Sequence, residues 1–173
     1  ELLGDEGSIH DFRDPKVFQH EGTYYSVVAT KTHDHRGKIV LFSSEDLNEW
    51  TFFSVLLEGT KEQGIMWECP DFFTLDGKDV LIMSPIQIKR QGHEYHNISS
   101  TMACIGQMDW ETGKLTVENF HEMDFGMDYY APQSLLDDKN RRIVIAWMQM
   151  WDRTFPTHDL GHQWAGSMTL PRE

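Results

Sequence analysis

Met66-Trp67-Glu68-Cys69-Pro70-Asp71-Phe72-Phe73 leads into Asp76-Gly77 and the apolar run Val80 to Met83. This reads as a strand opened by its proline, a tight polar turn, and a second strand. The pattern recurs on either side. Asp14-Pro15-Lys16-Val17-Phe18 precedes Glu21-Gly22 and the run Tyr24 to Ala29, and Ala131-Pro132-Gln133-Ser134-Leu135 precedes Asp137-Asp138-Lys139-Asn140 and Ile143 to Met148. From Pro15 to Pro70 is 55 positions and from Pro70 to Pro132 is 62. Repeats of about fifty residues built from short strands indicate propeller blades. The fold class expected is all-β, with blade-like units over about 11–57, 66–120 and 129–173 inside one incomplete domain spanning 1–173.

The repeat also bears on chemistry. Asp14 adjoins Pro15, Glu68 lies two positions before Pro70, and Tyr129-Tyr130 precede Ala131-Pro132. In a radial arrangement the leading ends of the inner strands converge on one axis, so Asp14 and Glu68 would face a common pocket. Glu68, between an indole and a thiol, reads either as a carboxylic acid kept protonated by apolar neighbours or as a solvated loop acid. The two echoes favour the first. Asp14 stands before a proline, which biases it toward extended backbone. Arg13-Asp14 reads as a ligand-holding pair or as a salt bridge at a strand start.

Composition narrows the classes. The 173 residues are 39% hydrophobic and carry a net charge of −13, which disfavours nucleic acid and anionic membranes as partners. No apolar run reaches membrane-spanning length. Two cysteines, Cys69 and Cys104, are too few for a disulfide framework and suit a reducing compartment, with a single bridge as the other option. Aromatic residues make up 12%, enough for a sugar-stacking surface and equally for packing between blades.

Other features carry less. His33-Asp34-His35 sits in a charged turn, and His93 and His96 lie in the polar stretch 89–97, so both read as surface and no metal site is assigned. Ser43 to Trp50 reads as one helical turn capped by Ser44. Met148-Gln149-Met150-Trp151 reads as a ledge beside the pocket or as core, and Trp164 to Leu170 as the start of a further strand.

Phe12-Arg13-Asp14-Pro15-Lys16-Val17, Trp67-Glu68-Cys69-Pro70-Asp71, Tyr129-Tyr130-Ala131-Pro132-Gln133, and Trp164-Ala165-Gly166 with Thr169-Leu170-Pro171-Arg172-Glu173 together resemble glycoside hydrolase family 32. The resemblance covers nearly the whole chain with four motifs in order. It implies about three blades of a five-bladed β-propeller and action on terminal β-D-fructofuranosyl bonds in sucrose, sucrose 6-phosphate or fructans. It further implies Glu68 as general acid/base and Asp14 as the carboxylate that holds fructosyl hydroxyls. Arg13, Tyr130 and Trp164 would line the fructose subsite, with Cys69 supporting Glu68. The partner expected is a small fructoside, with no metal or organic cofactor. Cytoplasmic location is expected, with secretion as the alternative.

The family's nucleophile is an Asp in a Trp-Met-Asn-Asp-Pro-Asn-Gly type motif, and that motif does not occur here. The chain is therefore expected to be an internal piece that is inert by itself. Fructosyl transfer on the same fold and a catalytically inactive sugar-binding propeller are the alternative functions.

Overall fold

The computed structural model describes residues 3–151 and 153–173. Ten strands in chain order account for most of it: β1 Arg13–His20, β2 Thr23–Lys31, β3 Gly37–Ser44, β4 Thr51–Glu58, β5 Met66–Leu75, β6 Lys78–Ile86, β7 Met102–Asp109, β8 Lys114–Glu122, β9 Tyr130–Leu136 and β10 Arg142–Trp147. Among the described residues helical structure is confined to a 3₁₀ turn at Ile9–Asp11 and a single α-turn, α1, at Pro156–Asp159. The fold is all-β. Strands β1 to β4 and β5 to β8 form two four-stranded antiparallel sheets in sequence order, and β9–β10 begin a third. These are propeller blades, each entered through its inner edge strand.

Local chemistry explains the hairpins. His20 pairs with Thr23 across Glu21-Gly22, and Leu75 pairs with Lys78 across Asp76-Gly77. All four turn residues have positive φ (47° and 91°, 51° and 76°). That is the two-residue turn whose twist matches the flanking strands, and the glycine meets the left-handed requirement without steric cost. The β7–β8 turn closes on Gly113 (φ 68°), and Asp109 Oδ1 accepts the Glu111 and Thr112 N–H groups.

The main core lies between the first two sheets. Val27, Ala29, Ile39, Leu41 and Leu56 of the first meet Met66, Trp67, Phe72, Leu81, Met83, Met102 and Cys104 of the second. Trp67 (1% exposed) is the key piece: its indole lies over Gly37 and Gly59, where an added Cβ would come within 2.3 and 2.5 Å of the ring. Glycine at both positions lets the indole bridge the two blades, and its N–H donates to Gln63 O at 2.7 Å.

Several sequence expectations change. The repeated prolines do not open their strands; Pro15, Pro70 and Pro132 are the third, fifth and third residues of β1, β5 and β9. Each falls at a register shift: Arg13/Lys16 in β1, Glu68/Asp71 in β5, and opposite Ile145/Trp147 for β9. A bulge on an edge strand is where a residue without an N–H is tolerated. The residue before each proline is left-handed rather than extended: Asp14 at φ 62°, Cys69 at 49° and Ala131 at 50°. The bulge demands this conformation, and it satisfies the pre-proline restriction by avoiding the right-handed helical region another way.

The stretch 45–49 is a run of bends, not a helical turn. Ser44 Oγ accepts the Leu47 N–H, and Asp46 Oδ1 accepts those of Asn48 and Glu49. Side chains thus satisfy the donors that a helix would have used. Residues 164–170 form no strand but touch β10 through an isolated bridge of Met168 with Trp147, and a second bridge beyond them joins Arg172 to Val144.

Candidate active site at the inner-strand bulges

Because each bulge has the same form, the three repeats can be superposed by their prolines. Two positions before the proline stand Arg13, Glu68 and Tyr130; one position before stand Asp14, Cys69 and Ala131. Arg13, not Asp14, is therefore the true equivalent of Glu68.

The three residues of the first set converge. Arg13 Nε and Nη2 donate to Glu68 Oε1 at 3.1 and 2.8 Å, and Tyr130 Oη donates to Glu68 Oε2 at 2.5 Å. One blade supplies the cation, the next the carboxylate, the third the phenol. Arg13 is itself braced by Asp11 (Nη1 to Oδ1, 3.4 Å), which Lys31 holds from the other side at 2.9 Å.

The second set forms a parallel contact. Asp14 Oδ2 accepts the backbone N–H of Cys69 at 3.0 Å and lies 3.5 Å from its thiol. Ala131 N–H donates to Ser84 Oγ at 3.1 Å, which ties the third bulge to β6. Arg13, Asp14, Glu68, Cys69, Tyr130 and Ala131 line a pocket of about 280 Å³ together with Trp147 and Trp151. The two indoles meet edge to face at 5.1 Å.

The electrostatics follow from these contacts. Burial works against the charge of Arg13, but the hydrogen bond and charge of Glu68 outweigh it and the guanidinium pKa is raised. Burial, then the hydrogen bond to Glu68, pushes the Tyr130 pKa upward, so the phenol stays a neutral donor. The Cys69 thiol is pushed up to about 12, first by burial and next by the Asp14 charge.

The sequence surrounds Glu68 with an indole and a thiol, whereas in the structure neither is a hydrogen-bond partner of its carboxylate. Trp67 points to the opposite face of β5, into the core, as alternation along a strand requires. Cys69 serves Asp14. Glu68 meets polar partners instead, and its side chain is 14% exposed. Trp164 is 61% exposed, packs against His162 at 4.8 Å and is not among the pocket's lining residues. Of the ledge at 148–151, Met150 is buried in the core while Trp151 reaches the pocket. Trp147, read only as part of an apolar strand, is the site residue that sequence reasoning missed. Among the described residues no group of three His, Cys, Asp or Glu side chains could hold a metal ion.

A larger apolar cavity of about 320 Å³ lies on the far face of the first sheet, between Phe12, Val28, Phe42 and Trp50, and it contains no carboxylate.

The family model for the glycosyl hydrolases family 32 N-terminal domain matches residues 3–173. The chain belongs to glycosyl hydrolase family 32. Sucrose-6-phosphate hydrolase of Bacillus subtilis is 42% identical over 173 residues, covering 97% of this chain and 36% of that protein. Raffinose invertase of Escherichia coli is 37% identical over 174 residues, covering 99% and 36%. Among solved structures, the Bombyx mori GH32 β-fructofuranosidase superposes with a TM-score of 0.89 at 36% identity, over 98% of this chain and 35% of that one. A mutant of it has been solved in complex with sucrose. The family 32 chain described here thus spans about a third of the length of these relatives.

Proposed function

We propose that the polypeptide containing this chain hydrolyses terminal β-D-fructofuranosyl bonds, with sucrose or sucrose 6-phosphate as the substrate class. The observation that carries this reading is the Glu68 carboxylate, held by Arg13 and Tyr130 at the wall of a pocket that also presents Asp14.

In this reading Glu68 is the general acid/base. It protonates the departing glycosidic oxygen and later takes a proton from the attacking water. Arg13 and Tyr130 fix the carboxylate's two oxygens, so it is presented in one orientation. Asp14, anchored by Cys69, accepts hydrogen bonds from ring hydroxyls as positive charge develops on the sugar. Trp147 and Trp151 offer apolar ring faces to a sugar, while Trp164, outside the pocket lining, takes no part in this reading. A retaining course needs one further carboxylate as nucleophile. Among the described residues Asp14 and Glu68 are the only carboxylates in the pocket lining, so the proposal places the nucleophile on a part of the polypeptide outside this chain. Unpaired Cys69 and Cys104 favour a reducing, cytoplasmic setting.

The test is direct. Full-length polypeptide given sucrose should release glucose and fructose, and NMR of the first product should show β-fructofuranose. Saturable binding of sucrose and sucrose 6-phosphate without turnover would favour a sugar-binding propeller and overturn the hydrolase reading.

A further inference from the structure

A second ring of side chains lies just beyond the first. The residue after each repeated proline is Lys16 on β1, Asp71 on β5 and Gln133 on β9. These also meet. Lys16 Nζ donates to Gln133 Oε1 at 3.0 Å and to Ser134 O at 2.9 Å, and stands 3.6 Å from Asp71 Oδ2. The Ser134 N–H donates to the same Asp71 oxygen at 2.6 Å. Gln133 Nε2 donates to the Cys69 carbonyl at 3.2 Å, fixing the peptide just past Glu68. Each inner strand is thereby tied to the other two.

Asp71 is 1% exposed. A carboxylate buried that deeply is costly, and apolar side chains would hold sheets together at least as well. Hydrogen bonds supply what apolar packing does not, which is a unique register. The three bulges must sit at one level for Arg13, Glu68 and Tyr130 to meet, since a slip of one residue turns each side chain to the other face. The ring lies three positions further along each strand, on the far side of the bulge, and it sets that level.

We propose that Lys16, Asp71 and Gln133 are positioning residues that hold Glu68 between Arg13 and Tyr130. The proposal rests on the reading of Glu68 as the acid/base. It concerns side chains that need not touch substrate, so its signature is a loss in kcat with KM preserved.

The test uses the full-length polypeptide with sucrose as substrate. Gln133→Ala, at an exposed position, should keep the wild-type Tm, lower kcat roughly ten- to a hundredfold and leave KM within about threefold. Lys16→Met should lower kcat likewise with KM preserved, and should also lower Tm because it leaves the buried Asp71 without its cation. Asp71→Asn keeps an acceptor for the Ser134 N–H and should fall between wild type and Asp71→Ala. Wild-type kcat in folded Gln133→Ala and Lys16→Met would overturn the proposal, as would losses in kcat that merely track losses in Tm. If the Lys16 or Asp71 variants do not fold, Gln133→Ala decides. Glu68→Gln, assayed alongside, separates the two claims. Turnover surviving in it defeats the acid assignment, whereas an inactive Glu68→Gln beside fully active ring variants defeats the positioning role alone.

Discussion

Arg13 and Glu68, 55 positions apart in sequence, share one contact in which two guanidinium nitrogens converge on a single carboxylate oxygen at 3.1 and 2.8 Å. They hold equivalent places in successive blades, so the pair follows from the repeat itself. The planar guanidinium aims both donors at once, which an ammonium cannot do. Arg13→Lys should therefore lower kcat of the full-length polypeptide on sucrose by roughly ten- to a thousandfold, in the range seen when one oriented donor is removed. Circular dichroism should be unchanged. Activity within about twofold of wild type would show that charge alone suffices at this position.

The Cys69 thiol, raised from its ordinary 9.0 to about 12, should be a poor nucleophile. Alkylation by iodoacetamide at pH 8 should leave it untouched in the folded protein and modify it after unfolding, with rates differing by about a thousandfold. The sign for stability follows. Below pH 9 the thiol is protonated in both folded and unfolded chains, and its contribution is complete. From 9 toward 12 the unfolded chain loses the proton first, so stability falls as pH rises. Labelling of folded Cys69 at nearly the unfolded rate would contradict the half-buried, Asp14-facing thiol.

The contact of Gly37 with Trp67 predicts a steric coupling between blades. Gly37→Ala would place a Cβ 2.3 Å from the indole, an overpacking that costs about 1–3 kcal/mol. Trp67→Leu alone should destabilise through the lost packing of a fully buried ring, by about 3 kcal/mol or more. Combined, the changes should cost less than their sum, because the smaller side chain makes room for the new methyl group. Strict additivity in denaturant midpoints would mean the glycine and the indole are not packed as described.

Much of this was legible before any coordinates. The proline-led repeat identified the blades, and Glu21-Gly22 and Asp76-Gly77 marked the hairpins. Glu68, Arg13 and Tyr130 stood in motifs that the fold brings to one point. The bulge was not legible, because one extra residue leaves no mark in composition. It put the proline into the strand interior and made Asp14 left-handed; the equivalence of Glu68 with Arg13, each two positions before its proline, was open to counting in the sequence. Trp147 was hidden for the same reason: the face a strand residue takes beyond a bulge cannot be counted from alternation. The ring of Lys16, Asp71 and Gln133 lay inside quoted motifs, yet only the register reveals that the three meet.

The most direct measurement compares Glu68→Gln with wild type on two substrates, sucrose and an aryl β-D-fructofuranoside whose phenolate leaves without protonation. An acid that serves the departing oxygen is needed for the first and nearly dispensable for the second. The account predicts a drop of roughly 10²–10⁴ in kcat on sucrose, with fructosyl-enzyme formation from the aryl substrate close to wild type. Equal losses on both substrates, or near-normal turnover of sucrose, would contradict it.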